Sequence, residues 1–207
     1  MTSVNKKTFS ILLTFLLLSS CLFDKTEGPD LLIPVKLEPE DYVCVSIFTT
    51  VGEMVLKLDS INAPKTTANF LSYVDESFYN GTIFHRIIKD FMIQGGGFDV
   101  NNRKKKTKAS IKNEAFNGLV NNKGTIAMAR TSEPHSATSQ FFINSKDNSF
   151  LNFKGSSSSS EWGYTVFGEL VSGENILDSI GRVSTDRTDA PLTQVVIDSV
   201  RVVRCEG

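Results

Sequence analysis

Phe84-His85-Arg86-Ile87-Ile88-Lys89-Asp90-Phe91-Met92-Ile93-Gln94-Gly95-Gly96-Gly97-Phe98 places a single arginine among phenylalanines, a methionine and an amide, on what reads as a pair of short strands. A guanidinium stays charged at any working pH and presents several N–H donors in a fixed fork. It therefore suits a weak, transient acceptor better than proton transfer. No acid in the FHRII run completes an ion pair with Arg86 locally. A second run, Ser139-Gln140-Phe141-Phe142-Ile143, again sets an amide beside aromatics. Three consecutive glycines suit a phosphate cradle, but no Lys-Ser or Lys-Thr pair directly follows them and no helical pattern does.

In order and spacing, these runs resemble the cyclophilin family of peptidyl-prolyl isomerases, whose motif reads FHR, then FM, one variable residue and QGG, with SQFF further on. The resemblance extends from about Asp41 to Gly207. It takes in Lys65-Thr66-Thr67-Ala68-Asn69-Phe70 before the motif and Val166-Phe167-Gly168 after it. Gly97 stands where many eukaryotic members carry an acid, and Thr125 to Thr131 with Ser136-Ala137-Thr138 is similar to the bacterial branch. The resemblance implies a mainly β fold, a closed eight-stranded antiparallel barrel capped by two α-helices. It also implies catalysed rotation about Xaa-Pro bonds of unfolded or flexible polypeptides, with no cofactor and no metal.

Residue roles follow from the same resemblance. Arg86 is the catalytic donor. Phe91, Met92, Phe142 and Leu151 line the pocket for the proline ring, Gln94 holds the guanidinium in place and Gln140 borders the peptide. Ala129 and Arg130 match positions whose backbone binds the residue preceding proline. Phe150 stands where the best-known eukaryotic members carry a tryptophan that contacts cyclosporin, and Tyr164 where they carry a histidine. Weakened cyclosporin binding is implied, because the indole donor is lost while an aromatic wall remains. Trp162 lies near that position but out of register with it.

The rest of the chain is consistent with such a domain. Tyr42 to Phe48 and Met54 to Leu58 alternate apolar residues around Thr49-Thr50-Val51-Gly52, as a hairpin does. Ala63 to Val74 predicts a helix with Pro64 near its start, and Glu174 to Ile180 a shorter one. Thr125 to Met128, Phe141 to Asn144 and Gln194 to Cys205 read as strands. Two stretches lack periodicity: Asp99 to Lys123, and the low-complexity loop around Ser156 to Ser160. Cys44 and Cys205 fall in the first and last strands, which pair in the family's fold. A disulfide and two free thiols are both compatible with that placement.

Lys6 and Lys7 precede an apolar run, Phe9 to Leu18, that is too short for a mature membrane span and reads as an export signal. It ends in Leu18-Ser19-Ser20-Cys21, which resembles the lipobox of bacterial lipoproteins. The expected organisation is a signal peptide over 1–20, a lipidated Cys21 with a tether to residue 40, and an isomerase domain over 41–207. Leu22 after the cysteine implies sorting to the outer membrane, facing the periplasm. Processing would remove two of 22 basic residues against 23 acidic ones, which takes the formal charge from -1 to -3. Nothing in that balance calls for nucleic acid, and Arg103 to Lys106 with Lys108 reads as a solvated loop. No heptad or apolar stripe argues for a dimer, so a monomer is expected. The competing reading is a tethered module that binds proline-containing segments with little turnover.

Overall fold

Thr49 starts the architecture by folding its hydroxyl into a tight turn, where it donates to Gly52 O at 2.7 Å and accepts from Val51 N and Gly52 N, both at 3.1 Å. Strand β1 (Tyr42–Thr49) pairs antiparallel with β2 (Gly52–Asp59) across it. The structure, a computed structural model, describes residues 42–205. The expected export signal, the expected lipidation site Cys21 and the expected tether lie outside the described residues.

Helix α1 (Pro64–Asp75) begins with proline at its first turn, where the missing N–H has no intrahelical partner to lose. Ala63 supplies no side-chain cap. Glu114, far along the chain, caps the helix instead: its carboxylate accepts from Lys65 N at 3.2 Å, from Thr66 N at 2.9 Å and from Thr66 Oγ1 at 2.8 Å. The buried face of α1 holds Thr66, Thr67, Phe70, Tyr73 and Val74. Phe70 centres an aromatic cluster, with ring centroids 4.9 Å from Tyr79, 5.6 Å from Phe141 and 5.4 Å from Phe167.

The remaining strands are β3 (Thr82–Ile83), β4 (Arg86–Ile88), β5 (Met92–Gly95), β6 (Thr125–Met128), β7 (Phe141–Asn144), β8 (Val166–Ser172) and β9 (Val196–Val203). Helix α2 (Glu174–Ile180) precedes β9. The nine strands of the described residues form one curled antiparallel sheet, a half-barrel in the order β3-β9-β1-β2-β8-β6-β7-β5-β4. Nine strands replace the expected eight because the segment 82–88 changes partners at Phe84 and His85. Thr82 and Ile83 pair with β9, whereas Arg86 to Ile88 pair with β5. The two outermost strands are thus joined by only two residues.

The two-residue repeat of the strands sorts their side chains onto opposite faces. Ile87, Ile93, Ile126, Phe141, Ile143 and Phe167 enter the main core with Phe70. Their neighbours Ile88, Met92, Ala127, Phe142 and Val166 form a smaller cluster apart from that core. Cys44 on β1 and Cys205 just beyond β9 are disulfide-bonded, with Cα atoms 5.2 Å apart.

The two aperiodic stretches are anchored by side-chain hydrogen bonds and isolated backbone bonds instead of continuous ladders. Asn113 Oδ1 accepts from Ala115 N at 2.7 Å and from Thr165 Oγ1 at 3.0 Å, and Glu114 N donates to Thr165 Oγ1 at 2.9 Å. In the serine loop, Lys154 N donates to Glu161 O at 2.8 Å and Ser157 N to the Glu161 carboxylate at 3.1 Å.

Candidate functional site

Antiparallel pairing brings the motif residues together across three strands. Arg86 on β4 sits opposite Gln94 on β5, and Gln94 sits opposite Phe142 on β7. Phe91, Met92, Ala129, Phe142, Leu151 and Tyr164 then wall a cavity of about 190 Å³, with Arg86, Gln94 and Arg130 at its polar side. This volume lies below the roughly 300–1,000 Å³ of sites for drug-sized ligands, and it matches a small ring attached to a chain that stays outside. The walls are themselves braced. The rings of Phe142 and Tyr164 meet edge to face at 5.6 Å, and the Arg130 guanidinium lies 4.7 Å over Tyr164.

Arg86 is half-exposed. Its Nε donates to Asp189 Oδ2 at 3.2 Å, and its two terminal amino groups have no hydrogen-bond partner among the described residues. Gln94 makes no hydrogen bond to the guanidinium among the described residues; its Nε2 donates to Gln140 Oε1 at 2.9 Å. The NH2 of Gln94 thus holds Gln140, and the acid absent from FHRII arrives from residue 189. Gln140 lies outside the first cavity and lines an adjoining one of about 240 Å³, shared with Gln94, Ala129 and Arg130. Phe150 also lies outside. It is 61% exposed and stacks on Phe91 with centroids 5.6 Å apart, which makes it a buttress at the rim.

The glycine run has a packing cause. A Cβ on Gly96 would lie 2.9 Å from the Phe141 ring and from Ser139 O, and Gly96 has φ +78. One on Gly97 would lie 2.6 Å from Gln140. Small residues here let β5 and the segment before β7 approach closely. No anion site is needed to explain them.

Arg130 does more than border the pocket. Its Nε donates to Gly163 O at 2.9 Å and its Nη2 to Ser159 O at 3.2 Å, so the serine loop is tied to the site edge by a pocket residue. Trp162 packs on His135 and Phe153, with centroids 4.7 and 5.7 Å away, and does not replace the aromatic at 150. His85, beside the arginine, is largely buried against Phe98 and its pKa is lowered to about 4. Desolvation is the main cause, and the charge on Arg86 adds to it. It is neutral at pH 7.

Asp189, Glu114 and the Arg130 contacts were not legible beforehand. Asp189-Ala190-Pro191 carries a turn signature, yet nothing in the sequence aims that turn at Arg86. Another depression, of about 520 Å³, is lined by Tyr42, Lys57, Val120 and Glu169 among others, and by none of Arg86, Phe91, Met92, Gln94 and Phe142. Its size alone does not make it the site. No cluster of His, Cys, Asp or Glu suited to a metal occurs among the described residues.

Comparison with known proteins agrees with this geometry. The chain is 54% identical over 162 residues to peptidyl-prolyl cis-trans isomerase B of Escherichia coli, covering 76% of this chain and 98% of that protein. It is 51% identical over 163 residues to the isomerase cyp18 of Streptomyces antibioticus, covering 77% and 98%. A crystal structure of a cyclophilin type peptidyl-prolyl cis-trans isomerase from Cryptosporidium parvum superposes with a TM-score of 0.67 at 26% identity, covering 80% of this chain and 99% of that one. The family model for cyclophilin type peptidyl-prolyl cis-trans isomerases matches residues 44–202, and the chain belongs to that family.

Proposed function

We propose that this protein accelerates cis/trans rotation of Xaa-Pro bonds in exported or envelope polypeptides, with Arg86 as the catalytic donor. The observation that carries this reading is a guanidinium fixed at one nitrogen, with its other donors unbonded among the described residues, beside an apolar cavity of about 190 Å³.

Amide conjugation sets a barrier of roughly 18–20 kcal/mol. In the twisted transition state the prolyl nitrogen becomes pyramidal and its lone pair localises. A donor aimed at that nitrogen, or at the neighbouring carbonyl system, stabilises the twist more than either planar state. The apolar walls hold the ring while the flanking peptide rotates. Ala129, Arg130 and Gln140 border the residues before proline. No proton is transferred, which agrees with a neutral His85 beside the arginine.

The finer parts of the proposal rest on sequence. Cys21 carries lipid and anchors a monomeric domain to the outer membrane, facing the periplasm, through the tether to residue 40. Cyclosporin binds weakly because position 150 is phenylalanine. The curled sheet works as a closed barrel, with eight strands when the segment 82–88 is counted once; support comes from the two-residue link between its outermost strands.

The test is exchange NMR on an Ala-Pro peptide with the full chain in mild detergent. Rapid interconversion that falls by about 100-fold in Arg86→Ala, with the fold intact, is the expected result. Peptide binding without faster exchange in the wild type would instead identify a proline-recognition module.

A further inference from the structure

The loop between α2 and β9 brings an acid to the arginine from 103 residues away in the chain. We infer that Asp189 is a positioning residue for Arg86: its carboxylate fixes the guanidinium through Nε and leaves both terminal amino groups available to the cavity. The inference rests on the isomerase reading above and extends it.

Asp189 grips β4 twice. Its Oδ2 accepts from Arg86 Nε at 3.2 Å, and its backbone carbonyl accepts from Ile87 N at 2.8 Å. The residue reaches both groups from a left-handed backbone conformation, φ 65, which aspartate and asparagine tolerate better than most side chains. The turn that holds it there is built without its carboxylate. Asp186 Oδ1 accepts from Thr188 N and Thr188 Oγ1, both at 2.7 Å, and from Ala190 N at 3.1 Å. Asp186 N also donates to Ala190 O at 2.9 Å.

The carboxylate of Asp189 is therefore not needed to shape its own loop. Nor does the pair contribute much to stability, because the two side chains are 45% and 39% exposed and water screens their attraction. What it supplies is direction. Arginine has many rotamers, and a donor that must search for its pose loses rate when the transition state arrives. Occupying Nε preserves the paired N–H groups that make a guanidinium a directional donor.

Two replacements separate this role from a structural one. Asp189→Gly keeps the left-handed backbone and removes the carboxylate; Asp189→Asn keeps the backbone and one acceptor oxygen. Each is measured by exchange NMR on the Ala-Pro peptide, in the full chain, with and without Arg86→Ala. Asp189→Gly is expected to lower kcat about tenfold with KM changed less than about twofold, and Asp189→Asn to stay within about threefold of wild type. Asp189→Gly is expected to add no loss when Arg86 is already alanine.

A kcat within about twofold of wild type for Asp189→Gly overturns the inference. An equal loss in both backgrounds overturns it too, since Asp189 then acts without Arg86. A wild type that does not accelerate exchange overturns the isomerase reading, and this inference with it. Should Asp189→Gly fail to fold, the Arg86 Nε–H resonance of the wild type decides: slow exchange with solvent supports the bond to Asp189, and rapid exchange overturns it.

Discussion

The same strands carry two apolar clusters that lead different lives. On one face Ile87, Ile93, Phe141, Ile143 and Phe167 join Phe70 and Tyr79 and are shut from water. On the other, Met92, Ala127, Phe142 and Val166 pack with Phe91, Leu151 and Tyr164 but end at an open cavity beside Arg86. Sequence neighbours such as Phe141 and Phe142 therefore belong to different parts of the molecule. Period-two alternation lets a short strand hold the fold with one face and present chemistry with the other. Apolar character alone does not tell the two faces apart; the difference is what stands across from each.

The sharpest way to break this distinction is to truncate one aromatic from each cluster. Phe70→Ala is expected to destabilise the protein by about 4 kcal/mol, since the ring is fully buried among three others that cannot collapse into the gap. Below its lowered melting temperature, the remaining folded protein should turn over normally. Phe142→Ala is expected to cost about half as much stability, because its site borders a cavity that water can enter. Its KM for an Ala-Pro peptide should rise about tenfold. Urea unfolding and exchange NMR on both variants check this. Equal losses of stability, with KM unmoved in Phe142→Ala, would dissolve the division between the faces.

The alternation itself was legible, as were the first hairpin, both helices and the nine residues that line the cavity. The elements were legible from local repeats of two or about 3.6 residues, and the lining residues from a resemblance carried by motifs spaced along the chain. What escaped is long-range and polar. Glu114 capping α1, Asp189 reaching Arg86 and Arg130 tying down the serine loop join residues 29 to 103 positions apart. Each uses a loop side chain with no periodicity to announce it. The bond from Gln94 to Gln140 was hidden for a related reason: its acceptor comes from the segment before β7 and not from the register partner, Arg86. The split of the segment 82–88 into two strands was hidden too, because a change of partner leaves no mark on the composition of a strand.

His85 sits at that split, and it sharpens the comparison by adding a group that water reaches poorly although it adjoins the site. Its folded pKa of about 4 lies below the ordinary 6.5, chiefly through burial. The unfolded chain therefore binds a proton more readily between these values. The contribution of neutral His85 is fully present above about pH 6.5 and is lost as pH falls toward 4, and it should amount to about 3 kcal/mol. Urea midpoints at pH 7.5 and 4.5, compared between wild type and His85→Phe, isolate it from carboxylates that titrate in both proteins. The variant should lose less stability on acidification. Identical pH dependence in the two would mean that the ring is hydrated after all.

The smallest expected effect concerns the rim, where neither cluster fully owns the side chain. Phe150 stacks on Phe91 yet is 61% exposed and lines no part of the 190 Å³ cavity. A residue so placed should alter which bulky ligands the site accepts without altering the rotation itself. Phe150→Trp keeps the stacking surface and adds an N–H donor, worth about 1 kcal/mol when it finds an acceptor. Cyclosporin inhibition should therefore strengthen several-fold, to about tenfold at most, while kcat/KM for the Ala-Pro peptide stays within about twofold. A change in turnover of the same size as the change in inhibition would show that position 150 belongs to the reacting pocket, and the boundary between rim and pocket drawn from its exposure would have to move.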